Sequence, residues 1–117
     1  QTELIRPLPL KLEILKRDAG YSLSQDSRVA DVDFERLRFP LMLKKWEGGT
    51  YFQPLGMSGF KKISDFFVDE KLSIPEKESS WILYSGKEVV WIIGRRIDDR
   101  FKVSPHTRLV LRIHSFP

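Results

Sequence analysis

Trp81-Ile82-Leu83-Tyr84-Ser85-Gly86-Lys87-Glu88-Val89-Val90-Trp91-Ile92-Ile93 reads as a strand, a tight turn and a second strand. Short apolar runs on either side of a Ser-Gly-Lys breaker make a β-hairpin. The second arm, residues 88–93, lacks the polar alternation of a half-exposed strand, so both of its faces should be covered and the strand should be central. Such a strand needs other elements on two sides of one sheet. Downstream, Gly94 ends the arm, residues 95–99 form a charged loop, and Thr107, Leu109, Leu111 and Ile113 alternate with Arg108, Val110 and Arg112 in a last strand. Upstream, Pro40 disfavours helix at Phe39, and Leu41, Leu43 and Lys45 alternate with Met42, Lys44 and Trp46 in a strand closed by Gly48-Gly49.

Between that strand and the hairpin, residues 53–59 are rich in breakers, and Ile63, Phe66 and Phe67 then fall at i, i+3 and i+4. This stripe predicts one main helix over about residues 61–72, ending before Ile74-Pro75. It starts either at Lys61 or after Ser64 as N-cap. Near the start of the chain, Leu8, Leu10, Leu12 and Ile14 alternate with Pro9, Lys11 and Glu13, a strand with one buried face. Asp18-Ala19-Gly20 turns the chain, and Tyr21 and Leu23 begin a weaker alternation, read as a paired second strand. Residues 29–37 mix acids with apolar side chains and read as irregular, with one helical turn near 33–37. The fold class is α+β: a small β-rich sheet or sandwich assembly with one main helix packed on it.

The 117 residues make one domain, 1–117, with 1–38 as a β-rich lead-in and 39–117 carrying the distinctive motifs. No apolar run approaches the ~20 residues that span a bilayer, which argues against a membrane partner. Cysteine is absent, excluding disulfides and thiolate metal sites and fitting a cytoplasmic location. The chain opens on Gln1-Thr2 and reads as a fragment of something longer. Its net charge of +4 is unevenly spread: residues 1–43 hold seven basic and seven acidic side chains, whereas thirteen basic and nine acidic follow from Lys44 onward. An excess gathered in one half is the footprint expected for a polyanion, set against the alternative of a merely solvated basic surface.

Candidate binding residues cluster in that half. Gly56 and Gly59 flank a loop leading into Lys61 and Lys62, combining backbone amides with cations beside a helix start. The plain alternative is a tight turn before a helix. Walker spacing fails, since only two residues separate the glycines and the lysine pair is followed directly by Ile63 and not by Ser or Thr. The Gly-x-x-Gly grip of KH domains also fails, because a strand and not a helix precedes the loop. Arg95, Arg96, Arg100 and Lys102 form a second cluster interrupted by Asp98 and Asp99, which should pair with some of them. Arg95 and Arg96, at a strand end, are the better candidates. Lys44 and Lys45 give weaker support, and Phe60, between Gly59 and Lys61, is the aromatic most suited to an exposed, base-stacking role. His106 and His114 lie in no catalytic or metal-binding pattern, and Asp65 and Asp69, four apart on the helix, are not read as a paired-carboxylate site because helix-dipole complementarity explains Asp65, so no active site is expected.

Pro54-Leu55-Gly56-Met57, the Lys61-Lys62 pair and Ser64-Asp65-Phe66-Phe67 resemble the signature of the C-terminal domain of tRNA(Ile)-lysidine synthases. The run from Val89 through Gly94-Arg95-Arg96 to Lys102 resembles that family's second block, and the likeness covers the chain from about Phe39 onward. One departure is Glu47-Gly48-Gly49-Thr50, where the family usually places an acid after the glycine preceding the loop. The resemblance implies a non-catalytic tRNA-binding domain of an enzyme that uses ATP, with magnesium, to ligate lysine to the wobble cytidine of tRNA(Ile). It implies two partners, the acceptor region of that tRNA and the enzyme's own N-terminal catalytic domain. The catalytic Ser-Gly-Gly-x-Asp-Ser loop of such enzymes has no counterpart here, so no cofactor is expected in this chain. The alternative is a docking module that orients the catalytic domain with little RNA contact, marked by an exposed apolar patch beside Trp46 or Phe60. A small independent enzyme is a weaker third reading, lacking any acid or base cluster.

Overall fold

The structure, a computed structural model, describes the backbone of Thr2–Leu4 and residues 9–116. Leu8, assigned above to the first alternating strand, lies outside the described residues. Among the described residues, two four-stranded antiparallel sheets and a two-stranded ribbon make up the β structure. The first sheet has the order β1-β2-β10-β3, with β1 Thr2–Leu4, β2 Leu10–Lys16, β3 Val29–Asp33 and β10 Leu109–Ser115. The second runs β4-β7-β8-β9, with β4 Leu41–Lys45, β7 Trp81–Ser85, β8 Glu88–Ile92 and β9 Arg96–Ile97. The ribbon pairs β5 Tyr51–Phe52 with β6 Lys61–Lys62 and leads into the helix α1, Ile63–Asp69.

Two cores explain why the hairpin is apolar throughout. Leu83, Val90 and Trp91 pack against Leu10, Leu12, Val32, Leu111 and Ile113 of the first sheet, while Ile82, Val89 and Ile92 pack against Phe52, Ile63, Phe66 and Phe67. The second sheet is thus the middle layer between the first sheet and α1, and its central strands are covered on both sides as their composition requires. One irregularity aids this packing. Leu83 pairs with Trp91 and Tyr84 with Val89, leaving Val90 as an extra residue. The bulge turns consecutive side chains, Val90 and Trp91, into the same sheet-to-sheet core, which strict alternation would forbid.

Several expectations need correction. The helix does not begin at Lys61, nor is Ser64 its cap. Both lysines pair with Tyr51 and Phe52 in the ribbon, Ile63 N donates to Thr50 O at 2.9 Å, and Lys62 occupies the N-cap without a side-chain hydrogen bond. It also ends at Asp69, short of 72, because Lys71 adopts φ +58°. Leu72 N then reaches Phe67 O at 3.1 Å and Lys71 N reaches Val68 O at 3.0 Å. These are the two bonds of a Schellman stop, made here without the glycine that usually announces one. A second helix, α2 Ile74–Glu78, follows where the chain was expected to leave helix. Ser73 and Glu76 form its reciprocal capping box, with Pro75 in the first turn, where a missing N–H is tolerated.

In the first sheet, residues 29–33 are a strand and not irregular chain. Ala30 and Val32 enter the core while Asp31 and Asp33 face the other way yet remain buried. Each acid is satisfied: Arg112, directly opposite in β10, donates Nε to Asp31 Oδ1 and Nη2 to Oδ2, both at 2.8 Å, and Thr107 Oγ1 donates to Asp33 Oδ2 at 2.9 Å. The helical turn expected near 33–37 is present as a 3-10 turn over Phe34–Arg36. Residues 21–23 form no strand. Tyr21 donates its hydroxyl to Asp31 Oδ2 at 2.7 Å and Ser24 N donates to the same oxygen at 3.1 Å, so the segment is tied by side-chain bonds where a ladder was expected. Ile14, placed by alternation on the buried face, is 58% exposed, although its partner across the ladder, Leu111, is buried.

Candidate nucleic-acid interface

The glycine loop is strapped to the segment that follows β9. Leu55 N donates to Ile97 O at 3.1 Å and Asp99 N to Gln53 O at 2.7 Å. Asp98, fully buried, accepts Gln53 N at 2.8 Å, Arg100 N at 2.8 Å, and Arg100 Nε and Nη2 at 2.9 Å each. The two blocks that stand out in the sequence are therefore one structural unit.

That strap uses groups expected to meet phosphate. Gly56, at φ +85°, donates its amide to Asp99 Oδ1 at 3.0 Å, and that bond, the largest of several causes, holds the Asp99 carboxyl below the usual carboxylate range. A carboxylate on that amide also makes the loop a poor seat for a triphosphate, so these residues do not fit ATP. Gly59, exposed, makes no amide hydrogen bond among the described residues. Arg100 bonds Asp98, its largest influence, and also Glu88 Oε2 at 2.7 Å, so its guanidinium is held strongly protonated inside the molecule. Its carbon Cζ lies 4.9 Å from the centroid of the Phe60 ring, and Phe60 is exposed, as expected.

The remaining cations divide by how tightly they are held. Lys61 pairs with Asp69 and Lys102 with Asp99 at 3.2 Å. Arg95 and Arg96 stand 4.0 Å from Glu76 and Glu70, and Arg96 also lies over the Phe66 ring at 5.4 Å. Pairs of that length at a surface contribute about 0–1 kcal/mol, so phosphate can replace the carboxylate at little cost. Breaking a pair with a buried partner costs about 3–5 kcal/mol, which assigns Arg100 to structure. Lys44, Lys45 and Lys62 have no acid within 4.0 Å among the described residues; their ammonium groups lie 5.6 Å, 5.5 Å and 5.9 Å from the ring centroids of Tyr84, Trp81 and Tyr51. Lys87, not singled out from the sequence, is exposed in the hairpin turn and equally without an acid partner. Its signal was available, since a lysine beside a turn glycine projects from a sheet end. The candidates do not form one cluster: Lys44 lies with Tyr84 on the α1 side of the second sheet, while Lys45 points to the other face over Trp81.

The histidines join no site: His114 Nε2 lies 3.3 Å from Glu13 Oε1 on the first sheet, and His106 sits in the loop before β10. No helix among the described residues is long and apolar enough to cross a membrane.

The sequence model of the TilS substrate C-terminal domain matches residues 35–114. The chain belongs to this family. It is 40% identical over 108 residues to the tRNA(Ile)-lysidine synthase of Parabacteroides distasonis, covering 92% of this chain and 25% of that protein. The enzyme of the same name from Bacteroides thetaiotaomicron is 36% identical over 116 residues, covering 93% and 27%. The chain thus spans about a quarter of the length of these relatives. Among solved structures, the crystal structure of a TilS C-terminal domain superposes with a TM-score of 0.75 at 18% identity, covering 99% of this chain and 92% of that one. An N-terminal fragment of the phenylalanyl-tRNA synthetase β-subunit from Pyrococcus horikoshii gives a TM-score of 0.61 at 19% identity, covering 73% and 27%. At those identities the likeness is one of fold. The TilS match covers 99% of this chain and so takes in the first sheet as well as the second.

Proposed function

We propose that this TilS C-terminal domain binds tRNA and carries no reaction of its own, within a cytoplasmic enzyme that ligates lysine to the wobble cytidine of tRNA(Ile) using ATP and magnesium. The observation that carries the reading is the set of ammonium groups without acid partners among the described residues, Lys44, Lys45, Lys62 and Lys87: Lys44 and Lys87 line one groove with Tyr51, Lys62 stands over that ring, and Lys45 lies over Trp81 on the other face of the sheet. Cations already paired to a carboxylate lose that attraction when they meet phosphate; these four do not. Arg95 and Arg96 add exchangeable charge, Lys61 and Lys102 less, and the acceptor region of tRNA(Ile) is the partner. Recognition by backbone charge and shape suits a surface with more cations than base-reading groups. Residues 1–117 act as one unit in this role, and the ATP site belongs to the catalytic domain.

The test is filter binding of this chain to tRNA(Ile) with and without its acceptor stem, across salt. Neutralising about four phosphates predicts a slope of log affinity against log salt near −3 to −4. A flat response, or equal binding to tRNA lacking the stem, rejects the reading. One observation favours a second role. Leu55, Met57 and Phe60 are 41%, 44% and 59% exposed on one loop, an apolar surface suited to docking on the catalytic domain. Charged substitutions there would weaken association with a separately produced catalytic domain while leaving tRNA binding by this chain unchanged.

A further inference from the structure

Between the end of β4, the start of β5 and the hairpin turn lies a groove of about 420 Å³, lined by Lys44, Glu47, Tyr51, Tyr84, Gly86 and Lys87 among others. Lys44 and Lys87 reach it from the strand and the turn, and Lys62 stands beside it over the ring of Tyr51. None of these ammonium groups has a carboxylate within 4.0 Å among the described residues. Tyr51 is 52% exposed, and with the Lys62 ammonium over one side of its ring, the other side is the one a planar partner would meet. Gly86, at φ +59°, has open space where a Cβ would stand, leaving the turn side of the groove unobstructed. The volume falls in the ~300–1,000 Å³ range of small-ligand sites, too small for a duplex.

We infer that this groove receives one unpaired nucleotide of an RNA strand, its phosphate between Lys44 and Lys87 and its base against Tyr51. The inference rests on the tRNA-binding reading above and specifies part of its surface. Cations next to an exposed ring are what a phosphate followed by a base requires, and stacking on an aromatic tolerates any base. Glu47 decides against a run of phosphates: a second phosphate beside this carboxylate would be repelled, whereas the amino group of a base can donate to it. A duplex keeps its bases stacked inside and cannot offer phosphate and base face together. An unpaired end or loop can.

The experiment is a fluorescence-anisotropy titration of this chain with a labelled single-stranded RNA tetranucleotide. A blunt RNA duplex is titrated in parallel, and free AMP and CMP serve as competitors. Tyr51→Leu should weaken the single strand between about five-fold and a hundred-fold, the range of one stacking contact, and leave the duplex unchanged. Lys87→Ala, in an exposed turn that does not hold the fold, should lower the single-strand salt slope by about 1. Equal losses on both RNAs, or none on either, overturn the groove assignment while leaving tRNA binding intact. Competition by AMP or CMP as strong as by the unlabelled tetranucleotide makes it a site for free nucleotides and overturns the RNA-strand assignment. If the unaltered chain binds neither RNA, the tRNA-binding reading itself falls.

Discussion

Asp98 holds the strap between the two motif blocks, and the cost of losing it can be worked from the bonds it makes. Asp98→Ala removes the acceptor of two backbone amides, Gln53 N and Arg100 N, and both acceptor oxygens of the Arg100 guanidinium. The amides lose about 1–1.5 kcal/mol each, and the charge-assisted pair a further ~1.5–3 kcal/mol. Arg100 keeps Glu88 as a partner and part of its side chain in water, which lowers the upper end. The sum is about 4 kcal/mol, a large share of the ~5–15 kcal/mol that stabilises a domain. At roughly 4 °C per kcal/mol for a chain of this size, the melting temperature should fall by ~15 °C. Calorimetry with a urea titration measures both, and the midpoint should move without a change in slope. Asp98→Asn, which retains an acceptor for part of this network, should fall about midway. If Asp98→Ala melts within ~4 °C of the parent, the strap is not what joins the two motif blocks and the analysis of Arg100 as structural is wrong.

Three other outcomes are expected. Burial alone would raise the Asp31 carboxyl, but hydrogen bonds from Arg112, Tyr21 and Ser24 together hold it below its ordinary value. A carboxyl with a depressed folded pKa contributes stability above its unfolded value near ~3.9 and loses it as pH falls through the folded one. Thermal melts should therefore show acid destabilisation below about pH 4 that shrinks in Asp31→Asn; an unchanged pH profile refutes the assignment. Ser73→Ala removes one half of the α2 capping box and should cost about 1 kcal/mol, read as a melting shift of ~4 °C with tRNA binding unaffected. Glu70→Gln, which releases Arg96 from its pair, should change stability by less than ~1 kcal/mol and tighten tRNA binding, whereas Lys62→Ala should weaken it and lower the salt slope by about 1; the opposite sign for either in filter binding contradicts the division of cations.

The parts legible in the sequence were those whose signal is local. The hairpin, β4 and β10 carry periodic apolar patterns, and the stripe Ile63, Phe66, Phe67 gave the α1 face. β3 was misread because its alternation, Ala30 and Val32 against Asp31 and Asp33, is short and runs straight into the apolar Phe34 and Leu37, and because the partners that permit burial of its acids, Arg112 for Asp31 and Thr107 for Asp33, lie 81 and 74 residues away. α2 was readable and overlooked: Ser73-Ile74-Pro75-Glu76 is a capping box with proline in the first turn. The stop at Lys71 was not readable, since a lysine in the left-handed region has no sequence mark. Among site residues, sequence gave the basic half of the chain but ranked its members by neighbourhood in the chain. Distance to acids in space reverses part of that order, tying up Arg100 and Gly56 and leaving Lys44, Lys45 and Lys87 without acid partners among the described residues.

Composition and periodicity determined the α+β class and the doubly covered hairpin, because each depends on residues a few positions apart whose spacing the backbone repeat converts directly into a face; the family was legible only as a resemblance, through the motif blocks at 54–67 and 89–102. Which cations can meet a phosphate depended on the folded chain: an acid and a base distant in sequence cancel only when the sheets and the Asp98 strap bring them within a few ångströms, and Coulomb attraction depends on that distance.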